Sequence, residues 1–160
     1  MQDETSMTDP VIRPSMAADI SAIERIVDAT GLFPPDMVGT LLEVFLEGET
    51  QVLWHSAWID GAVAGFCYSV PEMLTEGAWN VTAIAVAPAQ QGRGAGGALL
   101  STIEEELRAR TARVIFIDTS STENFAATRA FYIRAGYEEE ARLRDFWGDG
   151  ADKVTFRKAL

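Results

Sequence analysis

Gly92, Gly94, Gly96 and Gly97 fall within six consecutive positions, separated only by Arg93 and Ala95. Glycines at that spacing let the backbone approach a ligand closely, and successive amides at the open end of a helix carry partial positive charge that favours phosphate. The chemistry they point to is retention of a diphosphate by main-chain donors. A purely packing role fits poorly, because each glycine in a helix costs about 1 kcal/mol relative to alanine.

The stretch around them reads NVTAIAVAPAQQGRGAGGALLSTIEEEL, residues 80–107. WNVTAIAV (79–86) reads as an apolar strand, the turn APAQQ follows, and Leu99, Leu100, Ile103 and Leu107 then share one helical face. Glu104 to Glu106 are expected to point largely to water, while Arg108 and Arg110 suit the negative end of the helix. RVIFID (113–118) reads as a buried strand, so the unit is βαβ with a right-handed parallel crossover. Gly92, Gly94 and Gly97 also satisfy G-x-G-x-x-G, with Asp118 about where a dinucleotide fold places its ribose-binding acid. APAQQ separates these glycines from the strand, however, and a single βαβ unit stands among hairpins, so a dinucleotide fold is disfavoured.

The remaining elements frame that unit. Residues 1–10 are expected to be a disordered, frayed start, and VIRP (11–14) a short first strand. Asp19 is a candidate N-cap for a helix whose Ile20, Ile23, Ile26 and Val27 form one stripe and which Gly31 terminates. A second helical pattern follows LFPPD, at Met37, Leu41, Leu42, Phe45 and Leu46. QVLWHSAWI (51–59) and AVAGFCYSV (62–70) flank Asp60-Gly61, a strong hairpin signal. After the βαβ unit, Ser121 or Thr122 caps a helix running through Ala135 with Gly136 after its end, and two strands around GDGAD (148–152) close the chain as an antiparallel pair.

With 160 residues, 48% hydrophobic and 23% charged, the chain reads as one globular domain able to bury a core without staples. The net charge of −11 opposes non-specific nucleic-acid binding, yet leaves room for a backbone nest to hold a phosphorylated ligand. Cys67 is the single cysteine, which excludes an internal disulfide and, together with the single histidine, His55, offers no recognisable metal ligand set. No apolar run of 18 residues and no signal peptide is read, so a cytoplasmic protein without membrane or nucleic-acid partners is expected.

QGRGAG (91–96) resembles the Q/R-x-x-G-x-G/A signature of the GCN5-related N-acetyltransferase (GNAT) superfamily, and the strand, turn, cradle and LL-containing helix follow in that family's order. Asn124, Ala127, Phe131, Tyr132, Gly136 and Tyr137 stand as N-x-x-A-x-x-x-F-Y-x-x-x-G-Y, similar to its next cofactor-contacting segment. The resemblance is strong over 79–137 and rests on element order elsewhere in 11–158. It implies an α/β (α+β) fold over 11–160: a mixed, mostly antiparallel central sheet, one parallel βαβ step and helices on both faces. It also implies acetyl-CoA as co-substrate, no metal, and transfer of acetyl to a primary amine of a small molecule or peptide. A non-catalytic acetyl-CoA sensor or interaction module on the same fold is the alternative, and a homodimer the assembly considered.

The residue assignments follow from the same resemblance. The backbone amides of Gly92, Arg93, Gly94, Ala95, Gly96 and Gly97 would hold the pyrophosphate, Ile84, Ala85 and Val86 would pair with pantetheine, Asn124 would contact the pantetheine arm, and Gln91 and Phe131 would also contact the cofactor. Tyr132 would be the general acid that protonates the leaving thiolate. No carboxylate stands on the strand 79–86, so Glu72 and Glu76 in the preceding loop are the nearest candidate bases, each otherwise a solvated loop residue, with Asn80 or a water chain as the alternatives. Phe33, Trp79, Asn80 and Trp147 are the candidate acceptor-binding residues, and packing explains the aromatic ones equally well.

Overall fold

The computed structural model describes residues 8–48 and 50–160, so most of the expected N-terminal segment, residues 1–7, lies outside the described residues. The described residues form strands β1 (Val11–Pro14), β2 (Leu53–Ile59), β3 (Ala62–Pro71), β4 (Ala78–Val86), β5 (Val114–Ser120), β6 (Glu138–Gly148) and β7 (Ala151–Ala159). Helices α1 (Ile20–Thr30), α2 (Met37–Leu46), α3 (Ala95–Ala109) and α4 (Ala126–Arg134) lie between them. The strand order is β1-β2-β3-β4-β5-β7-β6, with β4–β5 the one parallel step in an otherwise antiparallel sheet. Cα packing divides the chain into two compact units, residues up to Tyr68 with Ala83–Thr102, and Ser69–Thr82 with Ile103–Leu160.

In the first unit, β1 pairs antiparallel with β2 from Val11↔Trp58 to Pro14↔His55. Asp60 (φ 51°) and Gly61 (φ 79°) are both left-handed, as the tight hairpin turn joining β2 to β3 requires. The apolar stripes of α1 and α2 supply Ile23, Ile26, Val27, Val38 and Leu42 to a core completed by Trp54, Phe66, Ala83 and Ala85. Trp54 stacks between Phe66 and Tyr68, with ring centroids 5.7 and 4.5 Å apart. Full burial of side chains of this size contributes about 1.5–3 kcal/mol each.

Asp19 stands at the N-cap position of α1 as expected, but without the capping bond. Its backbone is helical and its carboxylate makes no cap bond to α1. Instead the buried side chain accepts from Met16 N (2.9 Å), Arg13 Nη2 (3.1 Å) and Ser56 Oγ (3.0 Å). A buried carboxylate is tolerated only when so paired.

In the second unit, β5 runs antiparallel to β7 from Val114↔Ala159 to Ser120↔Lys153, and β7 pairs in turn with β6. Every residue of β6 is exposed. The helix expected from Ser121 or Thr122 starts later: a 3-10 turn at Glu123–Phe125 precedes α4, and Thr122 Oγ1 donates to Asn124 Oδ1 (2.6 Å) in place of a backbone cap. Gly136, at φ 93°, follows the end of α4 as expected.

Glu104 is a further correction, because it does not point to water. It is 7% exposed, and its Oε1 accepts from Lys158 Nζ (2.8 Å) and Tyr137 Oη (3.1 Å). Position 104 lies four residues after Leu100 and three before Leu107, which places it on the buried face of α3.

Candidate active site

β4 ends at Val86, a 3-10 turn covers Pro88–Gln90, Gln91 is extended, and α3 begins at Ala95. The glycines make this path possible, since Gly92 (φ 81°) and Gly94 (φ 86°) hold a conformation that a β-carbon opposes. A Cβ at either would meet nothing within 4 Å, so backbone conformation rather than space selects glycine. Ala98 N closes the first α3 bond on Gly94 O (3.0 Å), which leaves the amides of Ala95, Gly96 and Gly97 ahead of the first intrahelical bond. Such a helix start accommodates an anion.

Arg93 is held away from a free-floating role. Its Nη1 and Nη2 both donate to Asp60 Oδ2 at 3.2 Å, and Nη1 also donates to Gln90 Oε1 at 2.9 Å. Gln91 Nε2 donates to Val86 O (3.2 Å), tying the loop back to the strand end. A side-chain hydrogen bond from Thr8, and then the Arg93 guanidinium, hold the exposed Asp60 carboxyl below its usual range. Sequence spacing gave no sign of this partner, because an aspartate before glycine is also the ordinary residue of a hairpin turn.

Ile84 and Val86 are half-buried and Ala85 is buried. The β4–β5 ladder runs from Ala78↔Val114 to Val81↔Ile117, while β4 itself continues to Val86. Asn124 lies in the 3-10 turn before α4 and is exposed; Phe131 is half-buried against Tyr132, with ring centroids 5.5 Å apart. Tyr132 is 4% exposed and also packs against Phe156 (5.4 Å) and Tyr137 (6.2 Å). It therefore does core work whatever else it does.

The acceptor candidates are dispersed in kind. Glu72 and Glu76 are exposed in the turn between β3 and β4, where Glu72 N donates to Ala78 O (2.8 Å) and Glu76 O accepts from Arg113 Nε. Trp79 is buried within β4, Phe33 packs half-buried on the core of the first unit, and Trp147 is exposed with Nε1 donating to Thr119 O (3.2 Å). Asn80 Nδ2 donates to Asp118 Oδ2 (3.2 Å), so β5 brings a carboxylate to a strand that lacks its own. Tyr68, beside Trp54, is half-buried, and that burial pushes its phenol above the usual tyrosine value.

The acetyltransferase (GNAT) family matches residues 22–137. Among solved structures, a Desulfovibrio desulfuricans protein of the GNAT family, its acetyltransferase activity inferred, is 32% identical at TM-score 0.85, covering 94% of this chain and 98% of its own. Ribosomal-protein-alanine N-acetyltransferase from Brucella melitensis shares the fold at TM-score 0.78 and 23% identity, with 94% and 99% of the two chains covered. A Salmonella typhimurium protein solved with its cofactor acetyl-CoA does so at TM-score 0.79 and 20% identity, with 96% and 95% covered. The comparison with curated proteins returns no match.

Proposed function

Because this chain belongs to the GNAT acetyltransferase family, we propose that it transfers the acetyl group of acetyl-CoA directly to a primary amine of a small molecule or peptide in a ternary complex. The observation that carries the reading is the loop from Pro88 to Gly97. Two left-handed glycines and the leading amides of α3 form a cradle of main-chain donors suited to a pyrophosphate. Bound acetyl-CoA supplies an acetyl group activated as a thioester. The edge of β4 at Ile84–Val86 lies past the end of the β5 ladder and suits strand-like pairing with pantetheine.

Tyr132 is assigned as general acid on its place in the N-x-x-A-x-x-x-F-Y segment. Its phenol would give a proton to the departing sulfur and regain one from water, while the amine loses its proton to Glu72, Glu76 or solvent as the C–N bond forms. The Brucella neighbour is named for a ribosomal-protein alanine, so peptide amines belong among the acceptors to be tried. The chain's net charge of −11 favours cationic acceptors over anionic ones.

The test is release of coenzyme A thiol by purified protein over a panel of amines, with wild type and Tyr132→Phe compared. Amine-dependent release is expected, reduced about 10²- to 10⁴-fold in Tyr132→Phe with acetyl-CoA affinity retained. Acetyl-CoA binding with no turnover on any amine would replace the enzyme with a sensor module.

A further inference from the structure

Helix α4 has nine residues and carries Tyr132 in its last turn. A helix that short is marginal by itself, so its position is set by tertiary ties. At its start, Arg129 Nη1 donates to Ser120 O (2.7 Å) and Thr122 O (2.8 Å), fastening it to the end of β5. At its end, Lys158 Nζ on β7 donates to Ala135 O (2.9 Å) and to Glu104 Oε1 on α3 (2.8 Å).

These contacts close on the tyrosine. Tyr137 N donates to Tyr132 O (3.0 Å), Tyr137 Oη donates to Glu104, and Glu104 is paired with the same ammonium that holds Ala135. Phe156, whose ring meets Tyr132, lies two residues before Lys158 and so on the same face of β7. Apolar residues could fill such a volume with equal or greater stability. A charged pair with directed hydrogen bonds adds a fixed position for the end of α4.

We infer that Lys158 and Glu104 are positioning residues that set the Tyr132 phenol for proton transfer. The inference rests on the acid role proposed for Tyr132, and one set of variants separates the two. Lys158→Met is expected to lower kcat about 10- to 100-fold with KM for acetyl-CoA little changed, Lys158→Arg to restore most of it, and Lys158→Met to add no further loss in a Tyr132→Phe background. If Lys158→Met fails to fold, the Glu104→Gln/Lys158→Met double variant, which leaves no unpaired charge, is assayed in its place with the same expectations. A kcat loss in Tyr132→Phe with none in the Lys158 variants, or an equal loss in the Tyr132→Phe background, overturns the inference alone. Unchanged turnover in Tyr132→Phe removes the acid and the inference together.

Discussion

Asn80 on β4 donates through Nδ2 to Oδ2 of Asp118 on the parallel neighbour β5, at 3.2 Å. Asp118 Oδ1 accepts from Thr155 Oγ1 on β7 at 2.7 Å, and Lys153 Nζ lies 3.5 Å from Oδ2. One carboxylate thus fastens three strands through three donors. Its first role is structural.

Asp118→Ala leaves Thr155 and Asn80 without their acceptor. The expected loss is about 1–3 kcal/mol, the scale for stranding partly buried polar partners, read as a lower urea midpoint at unchanged slope. A midpoint equal to wild type would show that solvent replaces Asp118 at no cost.

Gly94 is left-handed with open space around its Cβ position. Gly94→Ala should therefore cost about 1–2 kcal/mol of backbone strain, seen in the melting temperature, with weakened acetyl-CoA binding. Gly94→Glu should abolish binding by setting a negative charge in the cradle, and unchanged affinity by calorimetry would refute the cradle.

Asp60, held by the Thr8 side chain and then by Arg93, carries a pH signature. The folded carboxyl titrates below its ordinary value of 3.8, so the unfolded chain takes up the proton first as pH falls. The stabilisation is full above that ordinary value and is lost as pH falls through the lowered folded one. The melting-temperature gap between wild type and Asp60→Asn should be constant near neutrality and close as pH falls below the ordinary value of 3.8. It will be small because Asp60 is solvent-exposed, and a gap that widens in acid would contradict the pairing.

Local signals were legible in the residues themselves. Asp60-Gly61 states its hairpin, Gly31 its helix end, and Gly92 and Gly94 their left-handed turns, because each depends on backbone conformation within a few positions. Asp19 makes no cap bond because its carboxylate is engaged by Met16, Arg13 and the distant Ser56, while Glu104 turns inward to Lys158, 54 positions away. Polarity predicts exposure only until tertiary pairing provides a counter-ion. Asp118 was similarly opaque, since nothing in β5 alone indicates that Asn80 and Thr155 will flank it. The turn conformations of the loop from Pro88 to Gly97 are local and so legible in its residues, whereas the hydrogen-bond partners of Asn80 and Trp147, Asp118 and Thr119, come from strands distant in sequence.

The sheet ends on β6, an open edge whose backbone groups could template the addition of another strand. Glu138, Glu139, Glu140, Arg142, Arg144 and Asp145 place charge on six of its eleven residues, and Asp145 (φ 54°) bends the strand out of regular extension. An incoming chain would have to strip water from those charges and match an irregular edge. That charge and irregularity make the edge a poor template for aggregation even though two of its own residues, Phe146 and Trp147, are exposed.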